Sequence, residues 1–244
     1  MTGPATASAD GHREAIVAAF MGLLADRPLS DVTLAATAER AGLSLGDVRA
    51  SFGSRMEIIG AFVASIDKAV LDGIDRDLAD QDTKERLFDV LMRRLDLLAP
   101  YREAIRRLST AAMRDPGLAL ALNGLAVRSQ RWMLAAAGVE VPGAGGAIRA
   151  QGLAIAFAKV VKAWLDDEDP ALARTMRVLD EELARAGRAA GALRSVERFA
   201  TPLLGLLCAP FERRRSRDAG GDEPGQGERG WRGDDFRDPK VTPV

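Results

Sequence analysis

The chain has very few of the side chains that carry covalent or metal chemistry. Its 244 residues include one histidine, His12, and one cysteine, Cys208. A metal site or a nucleophilic triad needs several such groups held together, so neither is predicted. The acidic run from Asp166 to Asp169 follows an apolar helical pattern, where we expect a solvated capping turn. The sequence therefore predicts a protein that is not an enzyme and uses no cofactor or metal.

Residues with an informative spacing lie between positions 33 and 55. Thr33 is a hydroxyl N-cap before a short alanine-rich run, and Gly42 stands where a left-handed residue ends a helix. Ser44, with Asp47 three residues later, opens a second short helix. Two short helices joined by a glycine turn form a helix-turn-helix, although another compact helical hairpin would have the same spacing.

Helices on both sides must hold this pair in place. Asp10 is the predicted N-cap of a first helix, and the sequence from Ser54 to Glu57 is a full capping box at the start of a longer one. Apolar residues at helical spacing predict the small core: Phe20, Leu24, Leu34, Val48 and Phe52. The polar side of the longer helix, through Asp67 and Asp72, is expected to face solvent and to connect this unit with the rest.

The charge of the first 60 residues is unusual for a DNA-binding unit. They hold five arginines, no lysine and seven acidic residues, a formal charge of −2, while the whole chain has −1. Non-specific affinity for DNA comes mainly from neutralised phosphates. Any DNA binding must therefore depend on locally placed groups such as Arg49 and Arg55, and on backbone donors at helix N-termini.

An ordered set of residues here resembles the N-terminal domain of the TetR family of bacterial transcriptional regulators. The set is Thr33-Leu34, Ala38, Ala41-Gly42-Leu43-Ser44, Phe52 and Ser54-Arg55. The resemblance spans about residues 12 to 62 and implies binding of operator DNA. It implies these DNA-binding residues: Thr33, Ser44, Leu45, Gly46, Arg49, Ser51 and Arg55. The family usually has a tyrosine in place of Arg49 and a small hydroxyl residue in place of Asp47, whose charge should repel DNA.

Beyond this unit the chain predicts a larger helical bundle. Alanine, leucine, arginine and glutamate dominate and no alternating pattern of useful length appears, so the predicted class is all-α. The predicted divisions are a disordered start (1–9), the helix-turn-helix domain (10–62), a ligand-binding and dimerisation bundle (63–191), an amphipathic segment (192–211) and a disordered tail (212–244). The glycine-rich stretch 141–146 is expected to be a flexible loop between helices.

The resemblance also implies a homodimer and a ligand pocket. The dimer would form through two long helices at about 147–166 and 171–190, although the apolar girth of the first also suits a central core helix. A small apolar ligand would lie in a pocket lined by Met92, Leu95, Leu108, Leu125, Trp132 and Phe157. Ordinary core packing explains the same residues.

A second resemblance covers about residues 83 to 190. Arg94-Leu95, Pro100-Tyr101-Arg102-Glu103, Trp132, Ala137-Gly138, Asp166 to Pro170, Thr175 and Leu179 are similar to the lipid-binding accessory proteins of ubiquinone biosynthesis. That family has the same fold without acting as a DNA-binding repressor. It implies the alternative function, a lipid- or metabolite-binding protein that does not bind DNA.

The segment after Gly191 bears on the choice between the two functions. It carries an apolar stripe beside several arginines, a composition typical of a helix on a membrane surface. The predicted peripheral membrane contacts are Phe199, Leu203, Leu204 and Leu207, although a helix that caps the bundle would have the same stripe. Because the first residues lack a signal peptide, the predicted location is cytoplasmic. Of the two functions, the sequence favours the regulator.

Overall fold

The computed structural model describes residues 4–74, 81–139 and 142–189. Over those ranges it has helices and turns and no strand, which confirms the all-α prediction. The helices are α1 (Pro4–Asp26), α2 (Leu34–Ala41), α3 (Leu45–Ser51), α4 (Arg55–Asp72), α5 (Thr83–Leu98), α6 (Arg102–Arg114), α7 (Pro116–Ala136), α8 (Gly143–Leu165) and α9 (residues 173–189). Two 3-10 turns, Leu29–Asp31 and Ala99–Tyr101, precede α2 and α6. The predicted amphipathic segment and tail, with Phe199, Leu203, Leu204 and Leu207, lie outside the described residues.

The first three helices pack together as the sequence predicts. Phe20 and Leu24 on α1 and Val48 on α3 are fully buried, Phe52 is 2% exposed, and Leu34 is half-buried against them. Helix α1 packs against α2, α3 and α4, and it also contacts α6. The helix pair therefore lies on α1 and is joined through that helix to the bundle.

Helix α4 links the two parts of the fold without a break. It begins beside the helix pair and packs further along against α5 and α7. The proposed boundary between residues 62 and 63 falls inside this helix. Buried residues from Ile16 on α1 to Leu183 on α9 form one continuous core. A movement of α4 would consequently displace side chains packed against it on both sides of that boundary.

Two helices begin earlier than predicted. Helix α1 starts at Pro4, before the predicted cap at Asp10, because proline suits the first turn of a helix and alanines follow it. Helix α8 starts at Gly143, inside the stretch expected to be a flexible loop. Glycine costs little in a first turn, whose N–H groups lack intrahelical partners anyway. The positive φ of Gly143, 70°, also lets the chain turn into the helix after Pro142.

Helix α8 is a core helix with one uncovered face. By length and composition alone it could cross a membrane, but it packs along α7, where Asn123 and Gln151 exchange two amide hydrogen bonds of 3.1 and 3.0 Å. Ile148 and Ile155 on its outer side are 55% and 52% exposed. Between them Gly152 leaves open space, since a Cβ there would meet no atom within 4 Å. The described chain therefore leaves an apolar strip on α8 without a partner.

Candidate nucleic-acid interface and the interior of the bundle

The turn between α2 and α3 is closed as the sequence predicts. Thr33 caps α2 by accepting a hydrogen bond of 3.1 Å from the Ala36 N–H. Gly42 ends the helix in the left-handed region with a φ of 66°, and the N–H of Leu43 donates to the Ala38 carbonyl over 3.0 Å. A side chain at position 42 would be strained in that conformation. Residues within one turn of this corner therefore close the connection from which α3 begins.

Helix α3 is held at its N-terminus by a complete capping box. The Asp47 N–H donates to the Ser44 hydroxyl oxygen over 3.1 Å, and the Asp47 carboxylate accepts from the Ser44 backbone N–H over 3.0 Å. The hydrogen bond from the Ser44 hydroxyl, and to a smaller extent the one from its backbone N–H, holds the pKa of the Asp47 carboxyl below its usual 3.8. The carboxylate that was expected to repel DNA is therefore bound to the first turn of α3, where the helix dipole favours negative charge.

The second predicted capping box has a different geometry. Ser54 does cap α4, since its hydroxyl accepts from the Glu57 N–H over 3.2 Å. The Glu57 carboxylate, however, accepts from the Gly53 N–H over 2.9 Å, one residue before the cap. Because glycine has no side chain, the carboxylate can lie close to its backbone. The prediction of a full box at Ser54 was therefore wrong in its second half.

The outer face of α3 carries the residues best placed to meet a partner. Leu45 is 54% exposed, and Gly46, Arg49 and Ala50 are exposed beside it, while Val48 points into the core. Within the described part of the chain, the Arg49 side chain has neither a hydrogen bond nor an ion pair. One short helix thus presents an apolar contact, a bare stretch of backbone and an available guanidinium group.

Two other arginines of this unit bind the chain itself. The Arg55 Nη1 group donates to the carbonyls of Leu29 and Val32 over 2.8 and 3.2 Å and holds the 3-10 turn against α4. Arg13 donates to the Ser51 carbonyl over 2.6 Å and lies 4.3 Å from the centre of the Phe52 ring. The sequence predictions missed these contacts, because neither the turn nor the end of α3 is adjacent to its arginine in sequence.

The six residues predicted to line a ligand pocket differ in burial. Leu95 and Phe157 are buried. The side chains of Met92, Leu108 and Leu125 are half-buried and pack against the core. Trp132 is 55% exposed on α7. A cavity of about 600 Å³ runs along α5, lined by Ile74, Asp89, Val90, Met92, Arg93, Asp96 and Leu97. Of the predicted set, Met92 alone contributes to that cavity.

The interior instead contains a buried polar cluster that joins α4, α5 and α7. Asp67 on α4 pairs with Arg94 on α5, with side chains 10% and 6% exposed, and accepts from the Ser129 hydroxyl over 2.7 Å. The prediction that Asp67 faces solvent was wrong. The sequence did hold a signal for the cluster. Arg94 falls three residues after Leu91 and four before Leu98, on the apolar side of α5.

A second polar junction joins α6 to the end of α8 and the turn that follows it. The Arg102 guanidinium donates to the carbonyls of Trp164 and Asp167, and Arg106 donates to that of Leu165. These donors bind carbonyls at and just after the end of α8, and the Trp164 carbonyl also accepts from the Asp167 N–H over 3.3 Å. Two segments of the second resemblance, around Arg102 and around Asp167, therefore meet here and hold helices together.

Asp167 was expected to be solvated and is instead 5% exposed. Its carboxylate accepts from the hydroxyl and the backbone N–H of Thr175 over 2.7 and 2.9 Å. The hydrogen bond from the Thr175 hydroxyl is the largest cause that lowers the pKa of this carboxyl below 3.8, and burial acts in the opposite direction. The turn before α9 folds the carboxylate back over that helix, which local sequence did not indicate.

Comparison with known proteins supports the fold. No protein-family model matches the chain, and no curated protein matches it significantly. Among solved structures, the chain is similar to a TetR transcriptional regulator from Nitrosomonas europaea ATCC 19718, with 23% identity, 72% of this chain and 97% of that chain covered, and a TM-score of 0.58. It is also similar to a TetR transcriptional regulator from Rhodococcus sp. RHA1, with 20% identity, 72% and 96% covered, and a TM-score of 0.53.

These likenesses bear on the two resemblances seen in the sequence. At such identities they concern the fold, and they give no support to the likeness with ubiquinone accessory proteins. Each alignment covers nearly the full length of the solved structure. The chain has the fold of the TetR transcriptional regulators.

Proposed function

We propose that this protein is a cytoplasmic transcriptional regulator that binds operator DNA as a homodimer and responds to a small ligand. The observation that carries the proposal is the outer face of α3, where Leu45, Gly46 and Arg49 are exposed together on a helix capped at its start. The chain also shares its fold with solved TetR transcriptional regulators, and the resemblance of residues 12 to 62 to that family implies binding of operator DNA.

Each of these residues has a chemical role in the proposed complex. Arg49 would bind a phosphate or the O6 and N7 atoms of a guanine, since a guanidinium group can donate two parallel hydrogen bonds. Leu45 would contact a thymine methyl group, and Gly46 would let the DNA approach the backbone closely. Backbone N–H groups in the first turns that follow Thr33 and Ser44 would add phosphate contacts.

The remaining two predicted contacts act less directly. Ser51 is half-buried at the end of α3, and Arg55 holds the turn before α2. We propose that both place the helix pair, while the exposed remainder of the Arg55 side chain adds attraction for the DNA backbone. With few free cations, affinity should depend on two copies of α3 acting together.

An electrophoretic shift of the full-length protein with the DNA upstream of its own gene tests the proposal. We expect a discrete complex with that fragment at low salt and a much weaker one with a scrambled fragment of equal length. The affinity should fall as salt rises, because bound phosphates release counterions. Equal binding to both fragments, or none to either, would refute a specific regulator. Flotation of the protein with anionic vesicles in place of DNA binding would favour the lipid-handling alternative.

The proposed dimer uses the uncovered strip of α8. Ile148, Gly152 and Ile155 form an apolar face that a second copy, packed about a two-fold axis, would cover. In light scattering at micromolar concentration we expect a dimer, and Ile155→Asp should give a folded monomer. The matched control is Met113→Asp, which changes an apolar residue that is 80% exposed on α6, away from the strip. A wild-type monomer would remove the dimer from the proposal.

A further inference from the structure

We propose that the buried Arg94 side chain anchors a small neutral carbonyl compound inside the bundle. This inference rests on the proposed ligand response and specifies the chemical class of the ligand. The starting observation is a guanidinium group that is almost completely buried while part of it has no partner. A buried donor without an acceptor is destabilising, so such a site favours a molecule that supplies one.

One edge of the Arg94 guanidinium has no hydrogen-bond partner among the described residues. Its Nη1 group is paired with Asp67 and lies 3.9 Å from the Met133 sulfur. The Nε atom is buried without a partner, and Nη2 has no hydrogen bond to any described residue. The N–H groups of Nε and Nη2 point the same way along that edge, the geometry that binds an acceptor through two hydrogen bonds.

Charge decides which acceptor suits the edge. The pair of Arg94 with Asp67 is already neutral, and Ser129 adds an uncharged donor to Asp67. A ligand carboxylate would leave a net negative charge in a buried site, which is costly. A carbonyl oxygen accepts the same two hydrogen bonds and adds no charge. The geometry therefore points to a neutral ligand with a carbonyl group.

The surroundings define the rest of the ligand. The Phe157 ring centre lies 5.8 Å from the Arg94 guanidinium carbon, and Met133 is fully buried beside Nη1. Gln130 lies one turn before Met133 on α7, is 1% exposed, and its side-chain oxygen has no partner. An apolar, planar body against Phe157 and Met133, with an N–H or O–H donor for Gln130, completes the description. Benzamide has all three features and serves as the probe.

The test compares four small aromatic probes by calorimetry on the full-length protein. We expect benzamide to bind at least about tenfold more tightly than benzoate, which carries a charge, and than α-methylstyrene, which has the shape but no polar group. N,N-dimethylbenzamide should be weaker than benzamide by about tenfold, because it cannot donate to Gln130. In nitrogen-resolved NMR, saturating benzamide should shift the Arg94 Nε–H resonance.

Variants locate the probe. Gln130→Met should weaken the binding of benzamide by about tenfold and leave the binding of N,N-dimethylbenzamide unchanged. The matched control Gln81→Met, at an exposed glutamine, should change the binding of neither probe. Arg94→Lys keeps a charge for Asp67 and removes the free edge, so benzamide binding should be lost. If that variant does not fold, the Gln130 pair and the Arg94 resonance still decide the matter.

Three results would overturn the inference: benzoate binding as tightly as benzamide, an unshifted Arg94 resonance at saturation, or no binding by any probe. The last would mean that bound water alone satisfies these groups. No DNA is present in these measurements, so their failure is separate from failure of the regulator. A protein that bound benzamide at Arg94 but shifted no DNA would keep the site and lose the proposed function.

Discussion

Polar side chains in the two halves of this fold differ in how far along the sequence their hydrogen-bond partners lie. At the starts of α2 and α3, hydroxyl caps bind N–H groups three residues away, from Thr33 to Ala36 and from Ser44 to Asp47. In the bundle, Asp67 binds Arg94 and Ser129, which are 27 and 62 residues away. The caps are exposed and the bundle cluster is buried. Loss of a cap should therefore loosen one helix end, while loss of a cluster member should destabilise the whole domain.

The largest expected effect comes from Asp67→Ala. Removing the carboxylate leaves the Arg94 charge buried without its partner, which should lower the free energy of unfolding by about 3–5 kcal/mol. Urea denaturation followed by circular dichroism measures it. The control Lys68→Ala removes the neighbouring exposed ion pair with Asp72 and should cost about 1 kcal/mol or less. Equal losses from the two variants would end the distinction between buried and exposed pairs.

Next comes the junction that holds the end of α8. Arg102→Met removes charged donors from the carbonyls of Trp164 and Asp167, and should lower the free energy of unfolding by about 1.5–3 kcal/mol. The same denaturation assay applies. Arg114→Met, at an exposed arginine at the end of α6, is the control and should stay within about 0.5 kcal/mol of wild type. If Arg102→Met left the free energy of unfolding unchanged, water would form hydrogen bonds with those carbonyls equally well.

Arg49→Ala should affect DNA binding and leave stability unchanged. If Arg49 reads a base, its loss should weaken binding to the upstream fragment by about 1–3 kcal/mol, as measured from dissociation constants at fixed salt. Arg27→Ala is the matched control, since Arg27 is exposed and its side chain has no partner among the described residues. Identical binding by both variants and the wild type would exclude α3 as the contact with DNA.

A smaller effect is expected at the start of α3. Ser44→Ala removes the acceptor for the Asp47 N–H and should cost about 1 kcal/mol. Amide hydrogen exchange should show faster exchange at the first turn of α3 and unchanged protection in α8. Ser30→Ala, at an exposed serine in the preceding 3-10 turn, is the control. Faster exchange spread evenly over the bundle would contradict the local character of this cap.

The smallest effect is a pH dependence shared by the two regions. Asp47 and Asp167 both have a pKa below 3.8 in the folded protein. A lowered folded pKa gives stability that is present above the unfolded value and is lost as pH falls through the folded value. The Asp47 box of α3 and the hydrogen bonds between Asp167 and Thr175 should therefore weaken only below pH 3.8. Carboxyl NMR titration checks this, and an Asp47 midpoint above 3.8 would contradict it.

Sequence was sufficient for the parts of the fold that depend on neighbours in the chain. The N-cap at Thr33, the left-handed Gly42 and the box of Ser44 with Asp47 could all be predicted, because each involves residues within one turn. The apolar periodicity of α1 likewise predicted burial of Phe20 and Leu24. The same reasoning predicted α5 to α9 as helices, with errors at the ends, since α8 begins at Gly143 and not at residue 147.

The tertiary structure decided which polar residues are exposed. Asp67 and Asp167 look like surface residues in sequence, yet each is buried. Arg94 on α5 pairs with Asp67, and Thr175 on α9 donates to Asp167 from its hydroxyl and its backbone N–H. Arg55 and Arg49 are equally basic in sequence, but a turn formed by residues more than twenty positions earlier occupies Arg55 and leaves Arg49 available. Hydrogen bonds over such separations depend on how helices pack, and local periodicity contains no information about that packing.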